Sequence, residues 1–203
     1  MKTKLHSPII LALFFIGVLQ TPVPGADGTC HLLKELPIGD ASGWNAFSLD
    51  ETTHRLYAVS ASNVFVVDLN KGQVISQFTN VAGVHAFTAI PRFHRFLYLK
   101  DQEPKLNFAN FDTFRTVATM KTGSRPEGLV IAPNGGMGYV LNAGDQTVTT
   151  FEPDGGDVMA TIPLPGIPRA AVLDARSRRV FFVMEGQSQL AVLDPARRNN
   201  INT

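Results

Sequence analysis

Between Leu56 and Leu193 the apolar residues fall into short runs, separated by turns of Asn, Asp, Gly and Pro. Some runs alternate with polar residues and others are apolar on both faces. Val64, Val66 and Asp68 would point to one side of a strand, and Phe65, Val67 and Leu69 to the other. Runs of about four to seven residues between turn formers predict strands rather than helices. Beyond the N-terminus no stretch of a dozen residues carries an apolar stripe of helical period.

The runs recur. Four segments fall into register: RLYAVSASNVFVVDLNKGQV, RFLYLKDQEPKLNFANFDTFRTV, MGYVLNAGDQTVTTFEPDGGDV and RVFFVMEGQSQLAVLDPARR. Aromatic anchors at Tyr57, Tyr98, Tyr139 and Phe181 lie 41, 41 and 42 residues apart. The polar residue closing the next strand, Asp68, Asn110, Glu152 and Asp194, recurs at 42 throughout. A unit of this length holding four short antiparallel strands predicts an all-β fold, a β-propeller whose blades are four-stranded sheets with inner strands facing a central channel. A β-sandwich would use similar strands but has no reason to repeat its sequence.

The units run from about 40–80, 81–122, 123–165 and 166–203. Residues 31–38 align with the last strand of later units and form an orphan outer strand, which could complete the fourth unit and close the ring. Four blades is the low limit for a propeller. An open ring would expose an apolar blade face at each end. The expected architecture is therefore about four blades, a partial ring of a larger type, with pairing of two partial rings as one way to cover the ends.

Lys2, Lys4 and His6 precede an apolar run from Ile9 to Leu19, followed by a Pro, Gly and Ala-rich stretch. That is the pattern of a secretory signal over residues 1–26, leaving a mature domain at 27–203. The run is shorter than the roughly 20 apolar residues of a membrane span, so no span is expected after signal removal. The expected location is exported, periplasmic or extracellular in a bacterium. The whole chain has 18 Lys plus Arg against 17 Asp plus Glu, and losing Lys2 and Lys4 leaves 16 against 17, a net charge of about −1. So neutral a chain argues against a nucleic-acid partner. With one cysteine, neither an internal disulfide nor a cysteine-based metal site can form.

The third unit resembles the YVTN-type repeat of bacterial and archaeal propellers, the YncE-like family. Tyr139, Val140, Asn142, Val148, Glu152 and Gly156 stand at its hallmark positions: an aromatic-Val strand, an Asn-containing turn, an alternating Val strand ending in an acid, and a Gly turn. The first and fourth units match more loosely, through Tyr57 and Asp68 and through Phe181 and Asp194. The second departs, with Asp101 and Pro104 in the turn. The resemblance implies a seven-bladed ring when complete, an exported protein, and single-stranded DNA binding in some members.

No H-E-x-x-H, G-x-S-x-G, G-x-G-x-x-G or C-x-x-C-H motif is present. Propeller enzymes draw their catalytic groups from scattered loops, which leave no local motif. By register, the residues before each innermost strand gather at one channel mouth: Trp44, His85, Glu127 and Pro168, with Asn45, Ala86, Gly128 and Arg169 one step on. Trp44, Asn45, His85, Glu127 and Arg169 form the expected rim, which would suit a small polar ligand or a protein partner. Neither a catalytic residue, a metal ligand nor a cofactor is assigned. Asn142 with Asp145 reads as turn chemistry, Asp68, Glu152 and Asp194 as turn caps, and the Arg176 to Arg198 arginines as a solvated edge. The function expected is non-catalytic binding or scaffolding. A lactonase-like or quinoprotein-dehydrogenase-like enzyme working at the rim is the alternative, and single-stranded DNA binding the second.

Overall fold

The computed structural model describes residues 32–38, 43–79, 81–133, 136–186, 188–195 and 201–202. The expected signal at 1–26 lies outside them. The described residues from Leu36 onward belong to one compact unit.

Among the described residues sixteen strands make four antiparallel four-stranded sheets, each ordered as the chain runs. The first holds β1 (Ala46–Asp50), β2 (Arg55–Val59), β3 (Asn63–Asp68) and β4 (Gln73–Thr79). The second holds β5 (Val84–Ile90), β6 (Arg95–Lys100), β7 (Lys105–Asn110) and β8 (Thr116–Lys121). The third holds β9 (Pro126–Ile131), β10 (Gly138–Asn142), β11 (Thr147–Phe151) and β12 (Val158–Pro163). The fourth holds β13 (Ile167–Leu173), β14 (Val180–Glu185), β15 (Leu190–Leu193) and β16 (Ile201–Asn202). A one-turn 3-10 helix at Pro91–Phe93 is the helical element among the described residues. The first strands of successive sheets, β1, β5, β9 and β13, adjoin one another in that order.

Three apolar clusters fill the three seams. Tyr57, Val59, Val64 and Val66 meet Phe87, Phe96 and Tyr98 between the first and second sheets. Leu97, Leu99, Leu106 and Phe108 meet Val140 and Phe151 in the next seam. Tyr139, Leu141 and Val148 meet Val180, Phe182 and Met184 in the last. Each large side chain hidden this way stabilises by roughly 1.5–3 kcal/mol, so one sheet is held chiefly by its neighbours.

The strand pairings fix which residues are equivalent. Leu56 opposes Val67, Phe96 opposes Ala109, Gly138 opposes Phe151 and Val180 opposes Leu193. The second member of each pair recurs every 42 residues, which places the period where the polar strand ends predicted it. One step on, Tyr57, Leu97, Tyr139 and Phe181 are equivalent, so the expected anchor Tyr98 is corrected by one position. The hairpin joining β2 and β3 is two residues shorter than that joining β6 and β7, and this shifts the count. Leu97 packs toward the third sheet, whereas Tyr98 packs back toward the first.

A second correction concerns the orphan strand. Residues 32–38 carry no strand, and the outer position of the fourth sheet belongs to β16. Pro37 removes an N–H that an outer strand would donate, and a chain-adjacent strand reaches that edge by a short connection.

Turns at the strand ends are closed locally. The Asp50 carboxylate accepts the N–H groups of Thr52 and Thr53 at 2.9 and 3.3 Å. Asn110 does the same for Asp112 and Thr113 at 3.1 and 3.0 Å, and Asp174 for Arg176 and Ser177 at 3.1 Å each. The hydrogen bonds, first that from the Ser177 hydroxyl, hold the Asp174 carboxyl below its ordinary value. Asp68 caps its turn by accepting Lys71 N–H at 2.9 Å. Asn142 departs from its turn reading: it ends β10 fully buried, with Nδ2 donating to Thr147 Oγ1 and Thr149 Oγ1 at 3.0 and 2.9 Å.

Candidate functional site

Each innermost strand of the last three sheets begins with a bulge. His85 is skipped between the pairs Val84–Lys100 and Ala86–Leu99. Glu127 is skipped between Pro126–Asn142 and Gly128–Leu141, and Arg169 between Pro168–Met184 and Ala170–Val183. In the first sheet Asn45 stands just before the pair Ala46–Val59 and donates its N–H to the Val59 carbonyl at 2.8 Å. Asn45, His85, Glu127 and Arg169 thus occupy one structural position, and Trp44 belongs with Val84, Pro126 and Pro168. A bulge re-aims the side chain it adds, and here it aims across the seam.

Asn45 Nδ2 donates to the Val84 carbonyl at 3.0 Å. One sheet on, His85 Nε2 donates to the equivalent Pro126 carbonyl, also at 3.0 Å. Since a carbonyl only accepts, this His85 nitrogen carries a proton. Its Nδ1 lies 3.1 Å from Asp101 Oδ1 but is not aligned for a hydrogen bond. In the third seam the link is ionic: Glu127 Oε2 meets Arg169 Nη1 at 2.8 Å.

Glu127 and Arg169 sit within a chain of alternating charge. Arg125 Nε lies 2.9 Å from Glu127 Oε1, and Arg169 Nε donates to Glu185 Oε2 at 2.9 Å, with Arg169 Nη2 on the same oxygen. Both Glu127 oxygens are occupied, and the Arg169 fork is divided between two carboxylates. These hydrogen bonds, Glu185 first, raise the Arg169 pKa. Arg125 holds φ at +48°, where the first two sheets have Gly43 at +72° and Gly83 at +79°. A side chain there costs roughly 1–2 kcal/mol, and this one reaches Glu127.

The expected rim residues do not all converge. Asn45, His85, Glu127 and Arg169 follow one another from seam to seam. Trp44 turns away, with its ring 6.1 Å from that of Phe47 and 5.9 Å from that of Phe65. Phe47 and Phe65 lie on the side of the first sheet opposite its contact with the second. Sequence reasoning missed that the acceptors across the seam are main-chain carbonyls, which leave no side-chain signal. Among the described residues no three His, Cys, Asp or Glu side chains gather as a metal would require.

That opposite side of the first sheet is partly open, and so is the far side of the fourth. Phe47 is 59% exposed, whereas its equivalent Phe87 is 7% exposed. Val183 is 51% exposed, against 0%, 0% and 1% for its equivalents Val59, Leu99 and Leu141.

The solved structure of hydrazine synthase from Kuenenia stuttgartiensis is similar, with a TM-score of 0.66 over 87% of this chain at 16% identity. The fold is β-propeller-like. The chain spans 51% of the hydrazine synthase chain, and at this identity the likeness carries the fold alone. No protein-family model matches the chain, and no curated protein sequence does.

Proposed function

We propose that this chain is a non-catalytic run of propeller blades that serves binding or scaffolding, exported by the leader at 1–26 to the periplasm or the cell exterior. The observation that carries this reading is the pair of partly open apolar sheet faces, marked by the exposed Phe47 and Leu49 at one end and by Val172, Val183 and Leu190 at the other. Faces of this kind are interaction surfaces, and their inner equivalents are covered by the next blade. The occupant is therefore further blade-like sheet, either more blades of a seven-bladed ring of the YVTN type or a second copy of this chain. The rim then serves the seams: Asn45, His85, Glu127 and Arg169 each bond to a neighbouring sheet. Single-stranded DNA binding has no support from the near-neutral charge.

Sedimentation of residues 27–203 across a concentration series tests the reading. The expected result is self-association that weakens in Phe47→Glu and Val183→Glu. A monomer at every concentration, unaltered by those substitutions, would overturn it.

A further inference from the structure

We propose that the seam between the first two sheets holds a binding site for a small zwitterionic α-amino acid with an apolar side chain. A cleft of about 220 Å³ opens there, walled by Phe78, Phe96 and Phe111 and edged by Arg55, Ser76 and Asp112. It is smaller than the roughly 300–1,000 Å³ sites of drug-sized ligands, so its occupant is correspondingly small.

Three observations point to a ligand. The first is Tyr57, which lines the cleft and is 1% exposed. Arg55 interacts with this phenol through a hydrogen bond and through its charge, so the guanidinium lies toward its hydroxyl end. The second is charge: Arg55 and Asp112 both border the cleft, and among the described residues neither makes an ion pair. A cation and an anion beside aromatic walls match a carboxylate, an ammonium and an apolar body on one small molecule.

The third is an internal control. The seam between the third and fourth sheets has the same cleft, but with Met137 in the place of Arg55, Ala160 in that of Ser76, Ile162 in that of Phe78 and Pro195 in that of Phe111. The architecture therefore tolerates apolar residues at these four positions, in a cleft that Thr150 and Asp194 also line. The cation, the hydroxyl and the aromatic walls of the first seam are not demanded by the fold.

Calorimetric titration of the mature chain with L-phenylalanine tests the site. 3-Phenylpropionate, which lacks the ammonium, and 2-phenylethylamine, which lacks the carboxylate, serve as comparisons. The expected result is saturable binding of phenylalanine, with each analogue about tenfold weaker or more. Arg55→Gln should weaken phenylalanine about tenfold. Tyr57→Phe, which removes the hydroxyl that Arg55 bonds, should weaken it severalfold. The proposal is overturned if phenylalanine does not saturate, if an analogue binds as well, or if either substitution leaves its affinity intact.

Discussion

Glu127 and Arg169, 42 positions apart in the chain, meet at 2.8 Å across the seam between the third and fourth sheets. Asn45 and His85 occupy the same position in the first two sheets, and there the cross-seam partner is a carbonyl. One place in the repeat thus joins neighbouring sheets in two chemical ways. Where the acceptor is main chain, the donor side chain is free to vary. Where it is a side chain, both partners must be kept.

His85 joins the second sheet to the third through its bond to the Pro126 carbonyl, part-buried in the seam. Removing the donor leaves that carbonyl unpaired, and His85→Ala should cost about 1 kcal/mol in urea unfolding. His85→Asn, which installs the residue used at the equivalent place in the first sheet, should recover part of the loss. Equal stability of wild type and His85→Ala would mean the link contributes nothing.

Arg125 separates backbone strain from ion pairing. Both Arg125→Gly and Arg125→Ala lose the contact with Glu127, an exposed pair expected to contribute no more than about 1 kcal/mol. Only glycine relieves the left-handed backbone at +48°. Arg125→Gly should therefore be the more stable of the two by about 1 kcal/mol, read from their denaturation midpoints.

Gly138 and Phe151 are directly opposed, and a Cβ on the glycine would lie 2.3 Å from the phenylalanine ring. In the second sheet the same pair is Phe96 and Ala109, with the large and small residues exchanged. Gly138→Ala alone should lose about 1–3 kcal/mol through overpacking. The double variant Gly138→Phe with Phe151→Ala should be more stable than either of its single components, as a double-mutant cycle in thermal unfolding would show.

Burial raises the phenol pKa values of Tyr57 and Tyr139 above the ordinary 10.0. The neutral phenol is the form the folded chain prefers, so above pH 10 the unfolded chain releases these protons first. Their contribution is complete below pH 10 and is lost as pH climbs through the raised values. Tyr57→Phe with Tyr139→Phe should move alkaline unfolding to higher pH. Phenolate absorbance recorded through the same titration would show whether ionisation and unfolding coincide.

The 42-residue period and the all-β strand order were legible because burial on both faces writes apolar runs into every strand, and Asp, Asn and Gly mark the turns. The exact register was not. A shorter first hairpin moved the equivalent of Tyr57 from Tyr98 to Leu97, and the bulges added one residue that no side-chain pattern marks. Trp44 was therefore grouped with His85, although its ring lies with Phe47 and Phe65. Residues 31–38 resembled an outer strand in composition, yet Pro37 interrupts the donors such a strand requires. The seam cleft was illegible because Arg55, Ser76 and Asp112 come from three separate strands and turns.

The Asp50, Asn110 and Asp174 turns are each completed within three residues, and every sheet pairs only strands adjacent in the chain. Little loop entropy is lost before such contacts form, so a sheet can take shape soon after its own residues have been synthesised. Growth is then directional, with each finished sheet acting as the template on which the following one condenses.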